Sequence, residues 1–200
     1  MSSLSRIAPP DSLLDGLKAR YGEPKRHYHT WAHIEALLRH FEAGSVTLHR
    51  PKPVLWALYW HDAVYDPTRG DNEAVSATLL VEEAREDLST EDLSFATAII
   101  RATHKHQLIE GLSGEDREDM AFFLDIDLSI LAAREDVFDT YEKNIRKEYA
   151  FVPEARYREA RAGILKTFLE RERLYFTPTY LHAWENRARA NLRRSIEALS

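Results

Sequence analysis

Two short stretches hold residue types that can do chemistry. "RHYHTWAHI", residues 26–34, carries His27, His29 and His33, and "WALYWHDAVYD", residues 56–66, ends an apolar run on the pair His61-Asp62. Imidazole offers a nitrogen ligand or a proton near neutral pH, and carboxylate offers an oxygen ligand. The placement matters as much as the type. His61 follows Leu58 by three residues and Val54 by seven, and Asp62 stands in the same relation to Tyr59 and Leu55. Both therefore prolong an apolar helical face. Asp127 has Phe123, Leu124, Ile130 and Leu131 at helical spacing, whereas Asp125 has Ala121, Phe122, Leu128 and Ser129, a less buried setting. His104 follows Ile100 by four and Ala96 by eight.

Burying an unpaired carboxylate costs several kcal/mol, about the whole margin of a weakly stable domain. Two such carboxylates beside several histidines need a cation, and the apolar stripes hold few Arg or Lys. A divalent metal accepts His nitrogen and Asp oxygen together. With no Cys in the chain there is no thiolate, so Mn²⁺, Fe²⁺, Co²⁺, Ni²⁺, Zn²⁺ or Mg²⁺ are the admissible ions. Singly, each residue has an ordinary structural explanation: a lone buried His is most often a hydrogen-bonded core residue. Adjacent helical residues diverge, and they share an ion only near a helix end. "DPTRGDN", starting four residues after Asp62, supplies that end.

The elements that must position these groups are helical. Trp31, Ile34, Leu37, Leu38 and Phe41 form one stripe; Val54, Leu55, Leu58 and Tyr59 form a second, opened by "RPKP", whose prolines suit a helix start. Further stripes run from Asn72 through Val81, through Leu93, Ala96, Ile99 and Ile100, and through Phe123, Leu124, Ile130 and Leu131. Two helices are expected between Asp136 and Arg173, divided by "FVPEA", and a last amphipathic one carries Leu181, Trp184, Ala188, Leu192 and Leu199. "EAGS", "DPTRGDN", "GLSGED" and "YFTPT" are the turn signals. With only 7 Gly and 8 Pro in 200 residues, breakers are few and strand alternation is rare. The expectation is one all-α domain over residues 1–200, a helical bundle with its metal-binding core at about 25–135 and C-terminal helices at 136–200.

Composition narrows the function. A net charge of −6 argues against a nucleic-acid polymer as partner. No apolar run is long enough to span a bilayer, and "MSSLSRIAPPDSLLDGL" lacks a basic and then apolar leader. No membrane association and a cytoplasmic location are expected. The amphipathic C-terminal helix can pack within the fold or against a copy, so a homo-oligomer is admissible.

His33, then His61-Asp62, then Asp127 resembles the H…HD…D signature of the HD-domain superfamily of metal-dependent phosphohydrolases. "HYHTWAHI" and "HDAVYDPTRGDNEAVSA" also resemble the YH…H and HD…P…N segments of cyclic-nucleotide phosphodiesterases. The whole chain is similar to a bacterial group of small HD-type hydrolases, including "NIRKEY", "ILKTFLERERLYFT" and "WENRARANL". The resemblance implies an all-α bundle with His33, His61, Asp62 and Asp127 as metal ligands. It makes His29 the group that protonates the leaving oxygen. Members with histidine-rich second sites carry more widely spaced His residues, whereas here only His104 and His106 follow, so the number of ions stays open.

Such a centre acidifies water and polarises phosphorus, and a protonated group meets the departing oxygen. Thr30 as N-cap would set His29 just outside a helix and His33 in its first turn, near the end that favours anions. Glu73, in "DNEAVSA", is the candidate water-orienting base or outer carboxylate, with Asp66 and Asp71 competing; helix capping and first-turn charge explain Asp71 and Glu73 equally well. Arg26, Lys25, Lys105 and His104 are candidates to hold phosphate. His106 and His27 are expected at the surface or behind the ligands, and His40, His49 and His182 have no evident partner. The expected function is hydrolysis of a small phosphorylated molecule, with a nucleotide favoured. The alternatives are an HD-type di-iron oxygenase, which needs further histidines, and a non-catalytic helical sensor that binds a metal or nucleotide.

Overall fold

The computed structural model describes residues 6–112 and 114–200. Among these residues there are nine α-helices and no β-strand, as the helical spacing predicts. They are α1 (Asp11–Tyr21), α2 (Trp31–Gly44), α3 (Pro51–Trp60), α4 (Asn72–Ala84), α5 (Thr90–Thr103), α6 (Gly114–Asp127), α7 (Glu135–Glu148), α8 (Glu154–Leu169) and α9 (Pro178–Leu199). The chain divides into two compact units, the first ending at Ile126 and the second Asp127–Ser200. No helix among the described residues is long and apolar enough to cross a membrane.

The first unit is built around α3. From Pro53 on, "PKPVLWALYW" is apolar on every side, the pattern of a helix inside a core, and each residue from Pro53 to Trp60 is buried. Its prolines lie in the first turn, where no intrahelical N–H is lost. The amides just ahead of it are served from α6: Asp119 accepts hydrogen bonds from the His49 and Arg50 N–H groups at 3.0 and 2.6 Å. Burial pushes the Asp119 carboxyl above its ordinary range, against the pull of those amides. Helices α2, α4 and α5 pack on α3. Trp56 and Trp60 stack one turn apart at 5.2 Å, and their indole N–H groups donate to the Ile7 carbonyl and to Glu83. No buried indole is left without a partner.

Helix α2 buries His33, Ile34, Leu37 and Phe41, the expected stripe with a histidine at its head. It continues through Gly44, although "EAGS" reads as a turn. A Cβ at Gly44 would stand 2.3 Å from the Phe122 ring, so the glycine serves a close helix approach. Helix α1 has no counterpart among the expected elements, because only Leu17 and Tyr21 of it are buried. Ser113, inside the turn signal "GLSGED", and residues 1–5 of the amino-terminal stretch lie outside the described residues.

The stripe through Phe123, Leu124, Ile130 and Leu131 is broken. Helix α6 ends at Asp127, and a 3-10 turn, Leu128–Ala132, follows in the second unit. There Leu128, Leu131, Phe138, Leu165, Tyr175, Ala188 and Leu192 form a core with partly buried Leu181, Trp184 and Leu199 from α9. Asn191 of α9 donates to the Leu131 and Ala133 carbonyls at 2.8 and 2.9 Å, and the Tyr175 hydroxyl donates to the Leu128 carbonyl. Helices α7 and α8 are divided at "FVPEA", as expected, with α8 starting at its Glu154.

Candidate metal centre

The carboxyl end of α3 leaves carbonyls without intrahelical donors, and each has a named partner. The His61 N–H returns to the Ala57 carbonyl, the Tyr21 hydroxyl donates to that of Tyr59, and the Ala63 N–H donates to that of Trp60. The Leu58 carbonyl lies 2.9 Å from His61 Nδ1. A carbonyl only accepts, so Nδ1 carries a proton and the lone pair of a neutral His61 ring sits on Nε2.

That Nε2 atom faces Asp62 Oδ2 at 3.0 Å and His33 Nε2 at 3.2 Å, with 3.9 Å between His33 Nε2 and Asp62 Oδ2. His33 and His61 are buried, and the Asp62 side chain is 20% exposed. A bare imidazole nitrogen against a carboxylate oxygen is repulsive, so a positive charge must lie between them: a proton on Nε2 or a metal ion. The triangle tests the second. A point equidistant from atoms with these separations lies about 2.0 Å from each, within the range of Zn–N and Zn–O bonds. His33, His61 and Asp62 could therefore hold a metal ion.

The far sides of both rings suit that use. His61 Nδ1 is oriented by Leu58, and His33 Nδ1 lies 3.3 Å from the Tyr28 hydroxyl. Histidine ligands commonly engage their second nitrogen in this way, which sets tautomer and ring plane. Burial works against ionisation of Asp62, but His61, His29 and His33 in their charged forms outweigh it and hold the carboxyl below its ordinary range.

Residues 62–66 leave helical geometry, and their main-chain groups need partners from elsewhere. Arg26 donates to the Asp62 carbonyl at 2.6 Å and to the Ala63 carbonyl at 2.9 Å. The Ser76 hydroxyl accepts from the Val64 N–H at 3.0 Å and donates to its carbonyl at 3.3 Å. The Asn72 amide brackets Asp66 in the same two-sided way, at 3.1 and 2.9 Å. Asn72 and Ser76 stand one turn apart on α4, so one helix face and one arginine hold the segment that follows His61.

His29 is half-buried, stacked on Tyr65 with ring centroids 4.1 Å apart, and 6.4 Å from the His33 ring. Thr30 precedes α2 as expected, yet its hydroxyl caps no helical N–H. Glu73 pairs with His104 Nδ1 at 3.2 Å. Asp66 accepts from the Thr68 N–H and hydroxyl, which lower its pKa, and Asp71 pairs with Arg69 at 2.8 Å. Both carboxylates are thus occupied in shaping the turn. His104 does not prolong the apolar face of α5: the helix ends at Thr103, and the ring beyond it is half exposed. Lys25, His27 and Lys105 are exposed and His106 is half-buried. His40 is half-buried, and burial followed by the Arg39 charge lowers its pKa. His182 is exposed on α9, whereas His49 has partners that spacing did not disclose, Glu118 at 3.0 Å and Glu115 at 3.8 Å.

Asp127 is buried on the last turn of α6, where the second unit begins. Asp125 is fully buried, 0% exposed against 9% for Asp127, which reverses the order expected from their neighbours. Every residue from Asp119 to Leu128 is buried, so helical spacing cannot rank positions there.

The sequence reasoning missed Tyr28, Ser76 and Asn72. Ser76 interrupts an apolar stretch of α4 and Asn72 lies four residues before it, a polar pair at helical spacing that could have been seen. Compared with protein-family models, with curated proteins and with solved structures, the chain matches none.

Proposed function

We propose that the chain is a metal-dependent phosphohydrolase acting on a small phosphorylated molecule. One observation carries the metal: a buried imidazole nitrogen, its ring partner already spent on a helix carbonyl, faces a carboxylate and a second imidazole at bonding separations for a shared ion. The phosphoryl chemistry rests on the likeness of "H…HD" to the HD superfamily and on His29 standing beside the donors.

His33, His61 and Asp62 would hold the ion, which supplies Lewis acidity toward water and a phosphoryl oxygen. The chain's own residues do the rest. Tyr28 and the Leu58 carbonyl fix the planes of the two imidazoles. His29 stacks on Tyr65, its main chain accepts from Arg26 at 3.3 Å, and the protonated ring gives its proton to the departing oxygen. Tyr65 restricts that ring's rotation, so the proton is presented from one direction.

Metal content and isothermal titration with Mn²⁺, Co²⁺ and Zn²⁺ test the centre, followed by phosphate release from a panel of nucleotides and sugar phosphates. One ion per chain with metal-dependent release is expected, and His29→Ala should keep the ion and lose rate. A chain that binds no divalent ion holds a His61 imidazolium against Asp62 instead, and the hydrolase reading falls.

A further inference from the structure

We propose that Arg26 is a positioning residue for this centre: its guanidinium fixes the main chain that carries Asp62 and ties it to the segment that carries His29. The inference rests on the metal-binding reading and adds to it a residue that touches none of the donor atoms. A basic residue beside a histidine cluster reads from sequence as a phosphate holder. The structure gives it other work.

Arginine has five N–H donors, and here four hydrogen bonds leave the guanidinium: Nε to Glu23 at 3.0 Å, Nη1 to the His29 carbonyl at 3.3 Å and the Asp62 carbonyl at 2.6 Å, and Nη2 to the Ala63 carbonyl at 2.9 Å. The side chain is 1% exposed. Little is left to meet a phosphate, either in donors or in surface. The guanidinium also lies over the Tyr21 ring at 5.1 Å and the Tyr65 ring at 5.6 Å, and Tyr65 is the ring on which His29 stacks. One planar cation thus joins the end of α1, the segment before α2 and the exit of α3.

The geometry calls for arginine. Carbonyls gathered past a helix carboxyl terminus carry partial negative charge that a cation neutralises. A planar fork reaches several acceptors at fixed angles, whereas a lysine ammonium is a single point on a flexible stem. With the fork removed, the Asp62 and Ala63 carbonyls lose their donors and residues 62 and 63 can rotate. The Asp62 carboxylate then no longer stands 3.0 Å from His61 Nε2.

The test is a Co²⁺ titration of the full chain followed by visible absorption, on wild type, Arg26→Lys, Arg26→Met and Tyr21→Phe. Tyr21→Phe is the structural control: it removes the hydroxyl from the Tyr59 carbonyl and keeps the ring under the guanidinium. The expected result is Co²⁺ affinity about 10–100-fold weaker in both Arg26 variants, the usual loss when a group behind a ligand is removed. Their d–d bands should be altered while helical circular dichroism is kept. Tyr21→Phe should melt earlier with an unchanged band. Wild-type affinity and band shape in Arg26→Lys would overturn the proposal, and should Arg26→Met not fold, Arg26→Lys decides alone. A loss of inorganic phosphate binding with Co²⁺ binding intact would also overturn it, in favour of a substrate-holding role. If wild type binds no Co²⁺, the metal reading fails by itself, and the clamp is judged on the metal-free chain by NMR. Movement of the His61 imidazole and Asp62 amide resonances in Arg26→Lys but not in Tyr21→Phe supports it, and their constancy refutes it.

Discussion

Each unit contains a half-buried carboxylate among polar groups, and the two are completed in opposite ways. In the second unit Glu142 of α7 meets the Arg161 guanidinium of α8; Arg161 also donates to the Tyr141 hydroxyl at 2.8 Å, and the Ser195 hydroxyl of α9 donates to Glu142 at 3.1 Å. Burial opposes the charge on Arg161, but Tyr141 and Glu142 hold it protonated more firmly than usual. The chain itself supplies the cation. In the first unit Asp62 meets two imidazoles, one with its lone pair turned inward. There the carboxylate faces imidazoles, and the nearby Arg26 guanidinium bonds main-chain carbonyls and Glu23. A self-neutralised cluster reads as architecture; nitrogen and oxygen donors converging on one point read as a place that could hold an ion.

The sharpest way to break this contrast is Asp62→Ala. If binding of a divalent ion is worth on the order of 10 kcal/mol and is shared among three donors, losing one costs about 3 kcal/mol, roughly a few hundredfold in affinity. Titration should show metal binding weakened by about that factor or more, with helical content kept. In the second unit, Glu142→Ala should act on stability alone. It strands a buried guanidinium, a change that costs about 3–5 kcal/mol; the lower end is expected because Glu142 is 16% exposed. Denaturant unfolding should register the loss while metal affinity stays at wild type. Replacing both partners, as Arg161→Met with Glu142→Leu, should restore most of it, since that cluster needs no charge once neither is present.

Why one cluster was foreseeable and the other was not follows from how each is encoded. His61 and Asp62 continue the spacing of Val54, Leu55, Leu58 and Tyr59, so a polar pair at the end of an apolar helix was visible, as was His33 at the head of the α2 stripe. Helix α3 itself was legible from "RPKP" and the unbroken apolar run behind it. Spacing failed where a segment has no exposed side. Residues 119–128 are buried throughout, so Asp125 and Asp127 could not be ranked, and the end of α6 inside an apolar stripe left no mark. It failed for His104 because the helix stops one residue earlier. The bonds of Arg26 were hidden for a different reason. Its partners are main-chain carbonyls 36 and 37 residues away, and carbonyls are present at every position whatever the side chain. The Glu142–Arg161 pair joins α7 to α8 across 19 residues, which no local pattern states.

Metal addition sharpens the comparison at a smaller scale. An ion that binds only the folded state stabilises it by about 2.7 kcal/mol at a concentration a hundredfold above Kd. Melting should therefore shift upward with Zn²⁺ or Mn²⁺ in wild type and in Glu142→Ala, and stay put in Asp62→Ala. A shift in all three would place the responsible ion elsewhere and remove the ground for reading His33, His61 and Asp62 as its ligands.

The smallest effect comes from the pair closest in form to the centre. His49 Nε2 lies 3.0 Å from Glu118, the same separation as His61 Nε2 from Asp62, but both partners are exposed. The Glu118 hydrogen bond, against a slight desolvation and with help from Asp119 and Glu115, raises the His49 pKa above 6.5. A histidine with a raised folded-state pKa contributes stability that is whole below its unfolded value and disappears as pH rises through the folded one. Stability should thus decline slightly just above pH 6.5, and Glu118→Gln should flatten that decline and return the His49 titration toward 6.5 in NMR. The exposed pair can take a proton from water and needs nothing else. The His61 pair, with the same spacing, joins a buried imidazole to a carboxylate 20% exposed and shares its open edge with a second imidazole. A His49 variant such as His49→Gln should accordingly leave metal affinity untouched; a loss there would mean that contact distance, not burial and convergence, selects the ion.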